Sequence, residues 1–433
     1  MGEQSGTMTQ VRRIEINELD GDLPAEPPAG TEAGPGRTET GSRPGPDRST
    51  PRPGPAAAMT PETIDGPGIR LRLSRLEDIP DTAAACSDPL VQHFLPALPS
   101  PYTEADARWW ITEGAPAAWA GGGAAYTIAD RETDRLLGTV GLNDPAPSRQ
   151  EAAIGYWVAP WARGRGVATA ATRTLAERAF ASGIRRLELL TVPENIASQR
   201  VALAAGFRPE GVRRLASRGR DGEWADLLTW ARLADDPPGP APRLLPDLPD
   251  GRLTDDVVEL RPRGPQHAEA MYHLHTQPEM VAVMVPPEPP RRADIERNCR
   301  EVQSRWLRDQ GANLVIIDAS SGATAGICQL VLDNPQFQQG MIGYGLLPAW
   351  RGLGYATRAV RLLAEWGFTE VRLGRIWADT HADNIASERV LERAGFRREG
   401  RVRGRFPAGD GLRRDSTLFG LLPGDLTEAP GAR

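Results

Sequence analysis

Residues 154–169 read IGYWVAPWARGRGVAT, and residues 342–357 read IGYGLLPAWRGLGYAT. Nine of the 16 positions are identical at a constant offset of 188. Downstream, residues 195–211 (NIASQRVALAAGFRPEG) match residues 384–400 (NIASERVLERAGFRREG) at 12 of 17 positions, at an offset of 189. Two blocks recurring in one order, with a single residue inserted between them, are what two copies of one fold leave in a sequence. Each copy spans about 170 residues, longer than a solenoid repeat and large enough for its own core.

Outward from these blocks, strand and helix periodicities alternate in the same order in both copies. In the first, residues 69–73 alternate as a strand, 77–87 and 104–114 have helical spacing, 124–130 and 136–142 form a hairpin, and 152–158 is the next strand. A long helix follows over 167–182, then a strand over 185–192 and a helix over 196–205, closed by Gly206. The second copy repeats the series with VVELRP, NLVIID, AGICQLVL, MIGYGLL and RIWADT as strands and a helix over 355–368. The order β-α-α-β-β-β-α-β-α-β-β predicts an α/β (α+β) fold around a mixed sheet, twice.

Residues 24–58 are dominated by Pro, Gly, Ser, Thr, Glu and Arg. Such a stretch cannot bury enough apolar surface to offset its ordering entropy, so a disordered N-terminal segment is expected. Met59, just before the first patterned strand, is a candidate second start of translation. Residues 235–250, DDPPGPAPRLLPDLPD, read as a Pro-rich linker. The expected boundaries are 1–66 for the N-terminal segment, 67–234 and 251–425 for the two domains, and 426–433 for a flexible tail.

Composition excludes several chemistries. The chain of 433 residues is 40% hydrophobic and 25% charged, an ordinary soluble composition. It has no apolar run of about 18 residues and no visible secretory signal. Cys86, Cys299 and Cys328 are too scattered for a disulfide framework or a CxxC zinc site, so a reduced cytoplasm and no metal are expected. His273 and His275 lie two apart on a helix and do not share a face. The net charge of −6 argues against a nucleic-acid binder. All 51 basic residues are arginine. Without lysine there is no Walker phosphate loop, no pyridoxal Schiff base and no kinase strand lysine.

What remains is the loop between strand and long helix: Arg163, Gly164, Arg165, Gly166, Val167 and Ala168 in copy one, and Arg351, Gly352, Leu353, Gly354, Tyr355 and Ala356 in copy two. A small-residue loop opening a helix offers unpaired N–H groups and the positive end of the helix dipole to an anion. Several successive N–H groups suit a pyrophosphate better than one phosphate. The dinucleotide fingerprint GxGxxG is not met, because Thr169 stands where its third glycine would be. A tight strand–helix connection without a ligand is the plain alternative, and recurrence with the same flanks weighs against it.

An R-x-x-G-x-A loop after a V-x-P or L-x-P strand end, with N-x-x-S and A-G-F downstream, resembles the GNAT superfamily of N-acetyltransferases. The IGY strand and the NIAS block resemble its branch that acetylates the N-terminal alanine of ribosomal proteins. The resemblance covers residues 67–233 and 251–422 and implies two tandem acyl-CoA N-acyltransferase domains, with acetyl-CoA as donor and an amine as acceptor. It further implies that the backbone N–H of Val158, and of Leu346 in copy two, holds the thioester carbonyl and stabilises the oxyanion. The two glycine loops would cradle the pyrophosphate, and Asn195 and Asn384 would bond the pantetheine arm. Ser198 and Ser387, one helical turn on, would protonate the departing thiolate. Asn195 and Asn384 also suit helix N-caps, and the two roles are compatible. Trp157, Trp161 and Trp350 suit either an acceptor pocket or core packing.

An attacking amine must lose a proton. Many relatives carry a Glu just before the IGY strand, where Ala153 and Met341 stand here. Glu151, two residues earlier, and Glu188 on the following strand are the candidate bases of copy one. Copy two has Gln339 and Trp377 at those places, which leaves His381. On this reading copy one is the better equipped, and copy two is a candidate for acyl-CoA binding, sensing or scaffolding without turnover. Arg397, Arg398, Arg401, Arg403, Arg405, Arg413 and Arg414 form either a solvated strand face or a contact for an acidic acceptor or RNA. The acceptor is a protein N-terminus or a small-molecule amine, reached by direct attack in a ternary complex; no membrane partner is expected.

Overall fold

A computed structural model describes residues 59–282, 284, 288–407 and 412–426. In the first copy the elements are β1 (Ile64–Gly66), β2 (Ile69–Arg72), α1 (Ile79–Cys86), α2 (Pro89–Phe94), α3 (Glu104–Trp109), α4 (Ala115–Ala120), β3 (Ala124–Asp130), β4 (Leu136–Ala146), β5 (Glu151–Val158), α5 (Val167–Ala181), β6 (Arg186–Thr191), α6 (Ile196–Ala204), β7 (Arg208–Arg218) and β8 (Trp224–Leu233). The second copy has β9 (Leu253–Thr254), β10 (Val258–Pro262), α7 (Ala268–His275), α8 (Pro278–Val281), α9 (Arg292–Leu307), β11 (Ala312–Asp318), β12 (Thr324–Asn334), β13 (Gln339–Leu346), α10 (Tyr355–Thr369), β14 (Arg375–His381), α11 (Ile385–Arg393), β15 (Arg397–Pro407) and β16 (Arg413–Leu421).

Each copy builds one eight-stranded sheet: β1-β2-β3-β4-β5-β6-β8-β7 and β9-β10-β11-β12-β13-β14-β16-β15. Among the described residues, the pairs β5–β6 and β13–β14 are parallel and the other ladders antiparallel. Long helix α5 packs on its sheet through Val167, Ala171, Leu175, Ala176 and Ala179, an i, i+4 row of buried side chains. In α10 the row is Tyr355, Ala359, Val360, Leu363, Ala364 and Gly367.

Two expectations are corrected. The helix expected over 104–114 runs on to Ala120 through a wide turn at Trp110–Gly114. Pro116 explains the widening, since its ring would otherwise meet the carbonyl of Thr112 one turn back. The first domain starts before residue 67: Ile64–Gly66 pairs antiparallel with Ile69–Leu71, and Met59 is buried in the core. The remainder of the expected disordered segment, residues 1–58, and tail residues 427–433 lie outside the described residues.

The Pro-rich connection is not a free tether. Ala241 is buried in the core of copy one, while Leu245 and Leu248 are buried in that of copy two. Pro246 O accepts from Trp306 Nε1 at 3.1 Å, and Asp309 accepts from the Leu245 N–H at 2.9 Å. Prolines already restrict φ in the unfolded chain, which lowers the entropy lost when the strap is ordered. Helix α9 of copy two packs against α6 of copy one, and its Leu307 joins the core of copy one.

Candidate active site

The parallel pairing of β5 with β6 holds for three residues, Glu151↔Arg186 to Ala153↔Glu188, and then stops. On its other side β5 stays paired with β4 as far as Val158↔Gly138. The strand end therefore splays from β6 and leaves a gap. Ala159 N–H donates to Leu137 O at 2.8 Å, toward β4. Because successive strand N–H groups point to opposite edges, Val158 N–H points into the gap. The geometry repeats in copy two: pairing stops at Met341↔Trp377, Leu347 N–H donates to Ala325 O at 2.9 Å, and Leu346 N–H faces the gap. Gly138 and Gly326 allow the close strand approach there, since a Cβ on either would collide with the carbonyl of Trp157 or Gly345.

Beyond the gap the chain turns through Gly164 (φ 72°) and Gly166 (φ 74°) into α5, and through Gly352 (φ 78°) and Gly354 (φ 83°) into α10. Left-handed backbone at alternate positions turns successive N–H groups toward one concavity, a nest for an anion. The first helical bond, Ala170 N–H to Gly166 O, leaves the amides of Val167, Ala168 and Thr169 at the open helix end. A Cβ on any of the four glycines would meet nothing within 4 Å, so the concavity is open. Pyrophosphate fits this cradle. Val167, Tyr355 and Ala356 are themselves buried and anchor the helix starts, whereas Leu353 is exposed.

The loop arginines are engaged. Arg163 is ion-paired with Asp88, the N-cap of α2, and this holds the Asp88 carboxyl below the usual range. Arg351 is ion-paired with Glu279 of α8, the equivalent short helix. Arg165 reaches Asp130 at 3.3 Å.

In copy one the gap widens into a cleft of about 560 Å³. Val158, Arg163, Gly164, Gly166, Val167, Ala168, Asn195 and Ser198 all line it. Asn195 Oδ1 accepts from Ser198 N–H at 3.1 Å, a helix N-cap that leaves the side-chain NH₂ for a ligand. Asn384 caps Ser387 N–H at the same 3.1 Å. Ser198 Oγ is 2.8 Å from Tyr156 Oη, and Ser387 Oγ is 2.7 Å from Tyr344 Oη. Burial pushes both tyrosines well above their ordinary range, so they stay protonated. The two tyrosines stand in the quoted IGY motif, but nothing local in the sequence pairs them with serines 42 and 43 residues away.

The structure does not bring Glu151 or Glu188 to the cleft. Glu151 opens β5, seven residues and about 23 Å of extended strand from Val158. It binds Arg149 at 3.2 Å and Arg186 at 3.5 Å. Glu188 is gripped by Arg213 at 2.6 Å and Arg186 at 3.8 Å. Both sit at the closed, paired end of β5–β6, whereas the cleft opens at the other end.

Copy two differs from expectation as well. At the offset of 189, Asp379 and His381 of β14 stand where Leu190 and Val192 line the first cleft. The ladders agree: Leu190 faces Thr229 and Asp379 faces Leu418, again 189 apart. Asp379 is bound by Arg405 at 2.8 Å, and His381 stacks on Phe406 at 4.3 Å. Copy two thus carries a carboxylate and an imidazole where copy one is apolar. Trp377 does stand where copy one has Glu188, each paired with the residue before the IGY motif.

Of the tryptophans, Trp157 lines the cleft, Trp161 donates to Leu136 O at 3.0 Å, and Trp350 packs on Tyr355 at 5.2 Å. In the arginine-rich stretch, Arg397, Arg398, Arg401 and Arg405 pair with Asp425, Glu388, Asp415 and Asp379, which is the pattern of a balanced strand face.

The profile of the Acetyltransferase (GNAT) domain family matches residues 69–208 and 258–397. The chain is 38% identical over 104 residues to the "Probable N-acetyltransferase YjcK" of Bacillus subtilis (strain 168), covering 24% of this chain and 58% of that protein. It is 24% identical over 149 residues to the spermidine N(1)-acetyltransferase of Escherichia coli (strain K12), covering 34% and 77%. With the ribosomal-protein-serine acetyltransferase of the same organism it shares 32% over 103 residues, 24% of this chain and 57% of that protein. The chain thus spans little more than half the length of YjcK, 58%, and of the ribosomal-protein-serine acetyltransferase, 57%. Among solved structures, Mycobacterium smegmatis RimJ in complex with CoA-disulfide aligns at 24% identity, covering 43% of this chain and 93% of that one, with a TM-score of 0.38. No helix among the described residues is long and apolar enough to cross a membrane.

Proposed function

Since the chain belongs to the GNAT acetyltransferase family and carries two copies of its domain, we propose that it transfers the acetyl group of acetyl-CoA to a primary amine. The observation that carries this reading is the meeting of three features in one cleft. The splayed end of β5 aims Val158 N–H at the gap, the αL glycines open a phosphate cradle, and the Tyr156–Ser198 hydroxyl pair stands opposite. Val158 N–H holds the thioester oxygen and stabilises the charge that develops there. The amine attacks directly, and Ser198, hydrogen-bonded to Tyr156, hands a proton to the leaving thiolate.

The acceptor we favour is the α-amine of a peptide. Among the described residues, no carboxylate or histidine lines the first cleft, while Leu90, Val91, Phe94, Leu95 and Leu227 do. A polyamine would leave its cations facing apolar carbon, whereas a peptide N-terminus brings one amine beside a neutral side chain. An α-amine, with a pKa near 8, is also far easier to deprotonate than a polyamine nitrogen. Calorimetric titration with acetyl-CoA, counting sites, tests the donor. Two sites per chain are expected. Absence of binding would return the glycine loops to plain structure.

A further inference from the structure

The first cleft lacks a proton acceptor in its lining, and the structure offers one at its mouth. His93 Nε2 lies 2.8 Å from Glu194 Oε1. On either side of this pair, Val91 and Phe94 on α2, and Val192 and Asn195 around Glu194, line the cleft. The pair, itself outside that lining, ties together the two segments that line the rim. Glu194 Oε2 is in turn 3.6 Å from Arg300 Nε, on α9 of copy two. We propose that copy one takes its proton acceptor from His93, oriented by Glu194, and that copy two holds this pair through Arg300. The inference rests on the acetyl-transfer reading of the first cleft.

Comparison of the copies supports it. Helices α2 and α8 start at Pro89 and Pro278, 189 apart, which places Ala282 where copy one has His93. Copy two lacks the imidazole at the mouth and has Asp379 and His381 on the strand. Copy one has Leu190 and Val192 on the strand and His93 with Glu194 at the mouth. Each copy has one histidine and one carboxylate near its site, drawn from different elements.

A carboxylate only accepts hydrogen bonds, so Nε2 of neutral His93 carries the hydrogen and Nδ1 keeps its lone pair. The amine nitrogen attacks the thioester carbon, the C–N bond forms, and its proton passes to His93 Nδ1 directly or through one water. The C–S bond breaks, its electron pair stays on sulfur, and the thiolate takes the Ser198 hydroxyl proton; the proton held by His93 then returns through water to restore that hydroxyl, so no net proton is gained or lost. The charged groups that the structure brings near His93 are Glu194 from the β6–α6 connection, Arg300 of α9 behind it, and Arg220 from the β7–β8 turn. Arg220 donates to the Gln92 and Leu95 carbonyls at 2.9 and 3.4 Å.

The test uses the full chain with the second loop blocked by Gly354→Val, so that one acetyl-CoA binds. CoA thiol release is followed against pH with an alanine-first hexapeptide and with spermidine. His93→Gln should lower kcat/KM about 100-fold and remove the acidic limb of the profile, with acetyl-CoA affinity unchanged. Glu194→Gln should move that limb to lower pH, and Arg300→Gln to higher pH. These side chains are half-exposed, and a purely structural tie would not move the limb. An unchanged acidic limb in His93→Gln overturns this inference alone. Binding of one acetyl-CoA with turnover of neither amine would overturn the acetyl-transfer reading of this cleft, and this inference with it.

Discussion

Tyr156 and Ser198 share a hydroxyl–hydroxyl hydrogen bond of 2.8 Å across the gap between β5 and α6, and Tyr344 and Ser387 repeat it at 2.7 Å. A serine hydroxyl alone is a weak acid. A buried tyrosine hydroxyl hydrogen-bonded to it holds the serine hydroxyl in place and polarises it, while the tyrosine itself stays protonated. Tyr156→Phe should lower kcat of copy one by about 10- to 100-fold with little change in acetyl-CoA affinity, and Tyr344→Phe should do so for copy two. Loss of the buried hydrogen bond should cost about 1 kcal/mol, read by denaturant midpoint. Since burial raises the tyrosine pKa, the protonated form persists through pH 10 and kcat should show no alkaline fall there.

Arg163 cannot give its full charge to a phosphate while it is ion-paired with Asp88. Asp88→Asn keeps the N-cap of α2, because asparagine caps as well as aspartate. The variant should therefore bind acetyl-CoA at copy one several-fold more tightly, with a steeper loss of affinity in salt. Glu279→Gln should act likewise at copy two through Arg351. The Asp88 carboxyl titrates below its ordinary value chiefly through the Arg163 hydrogen bond. Its contribution to stability is in full above the unfolded pKa of about 3.9 and is lost as pH falls through the lower folded value. Unchanged affinity in both variants would count against any competition between acid and phosphate.

The seam between the copies should be a stability determinant. Trp306 is buried against Trp366 at 5.8 Å and donates to Pro246 O in the strap. Trp306→Ala should cost about 3–5 kcal/mol, since a large cavity opens and a carbonyl loses its partner. Calorimetry should show the loss in the transition of copy two.

The repeat made both sheets, the glycine loops and the Asn–Ser caps legible, because each is encoded within a few residues by periodicity or backbone need. What the sequence left unread depends on distant contacts. Glu188 looked like a base because nothing local reveals that Arg213 and Arg186 close on it. His93 and Glu194 are 101 residues apart, and Arg300 arrives from the other copy. The strap at 235–250 reads as a linker by its prolines, although Ala241, Leu245 and Leu248 are buried at full packing.

The two clefts should also differ in their acidic behaviour. In copy two, Asp379 and His381 stand on β14 at the positions that line the first cleft, and Arg405 binds Asp379 at 2.8 Å. A carboxylate at this position can attract an amine and accept its proton, which Leu190 cannot do. With the first loop blocked by Gly166→Val, turnover should rely on copy two. Asp379→Asn should then lower kcat/KM about 100-fold, and more for spermidine than for a peptide α-amine, because the polyamine nitrogen must shed a more tightly held proton. Arg405→Gln should give a smaller fall, since the carboxylate remains but loses its anchor. If Asp379→Asn left kcat/KM for both amines unchanged, the strand carboxylate would have no part in the chemistry, and His381 would be the group to replace next.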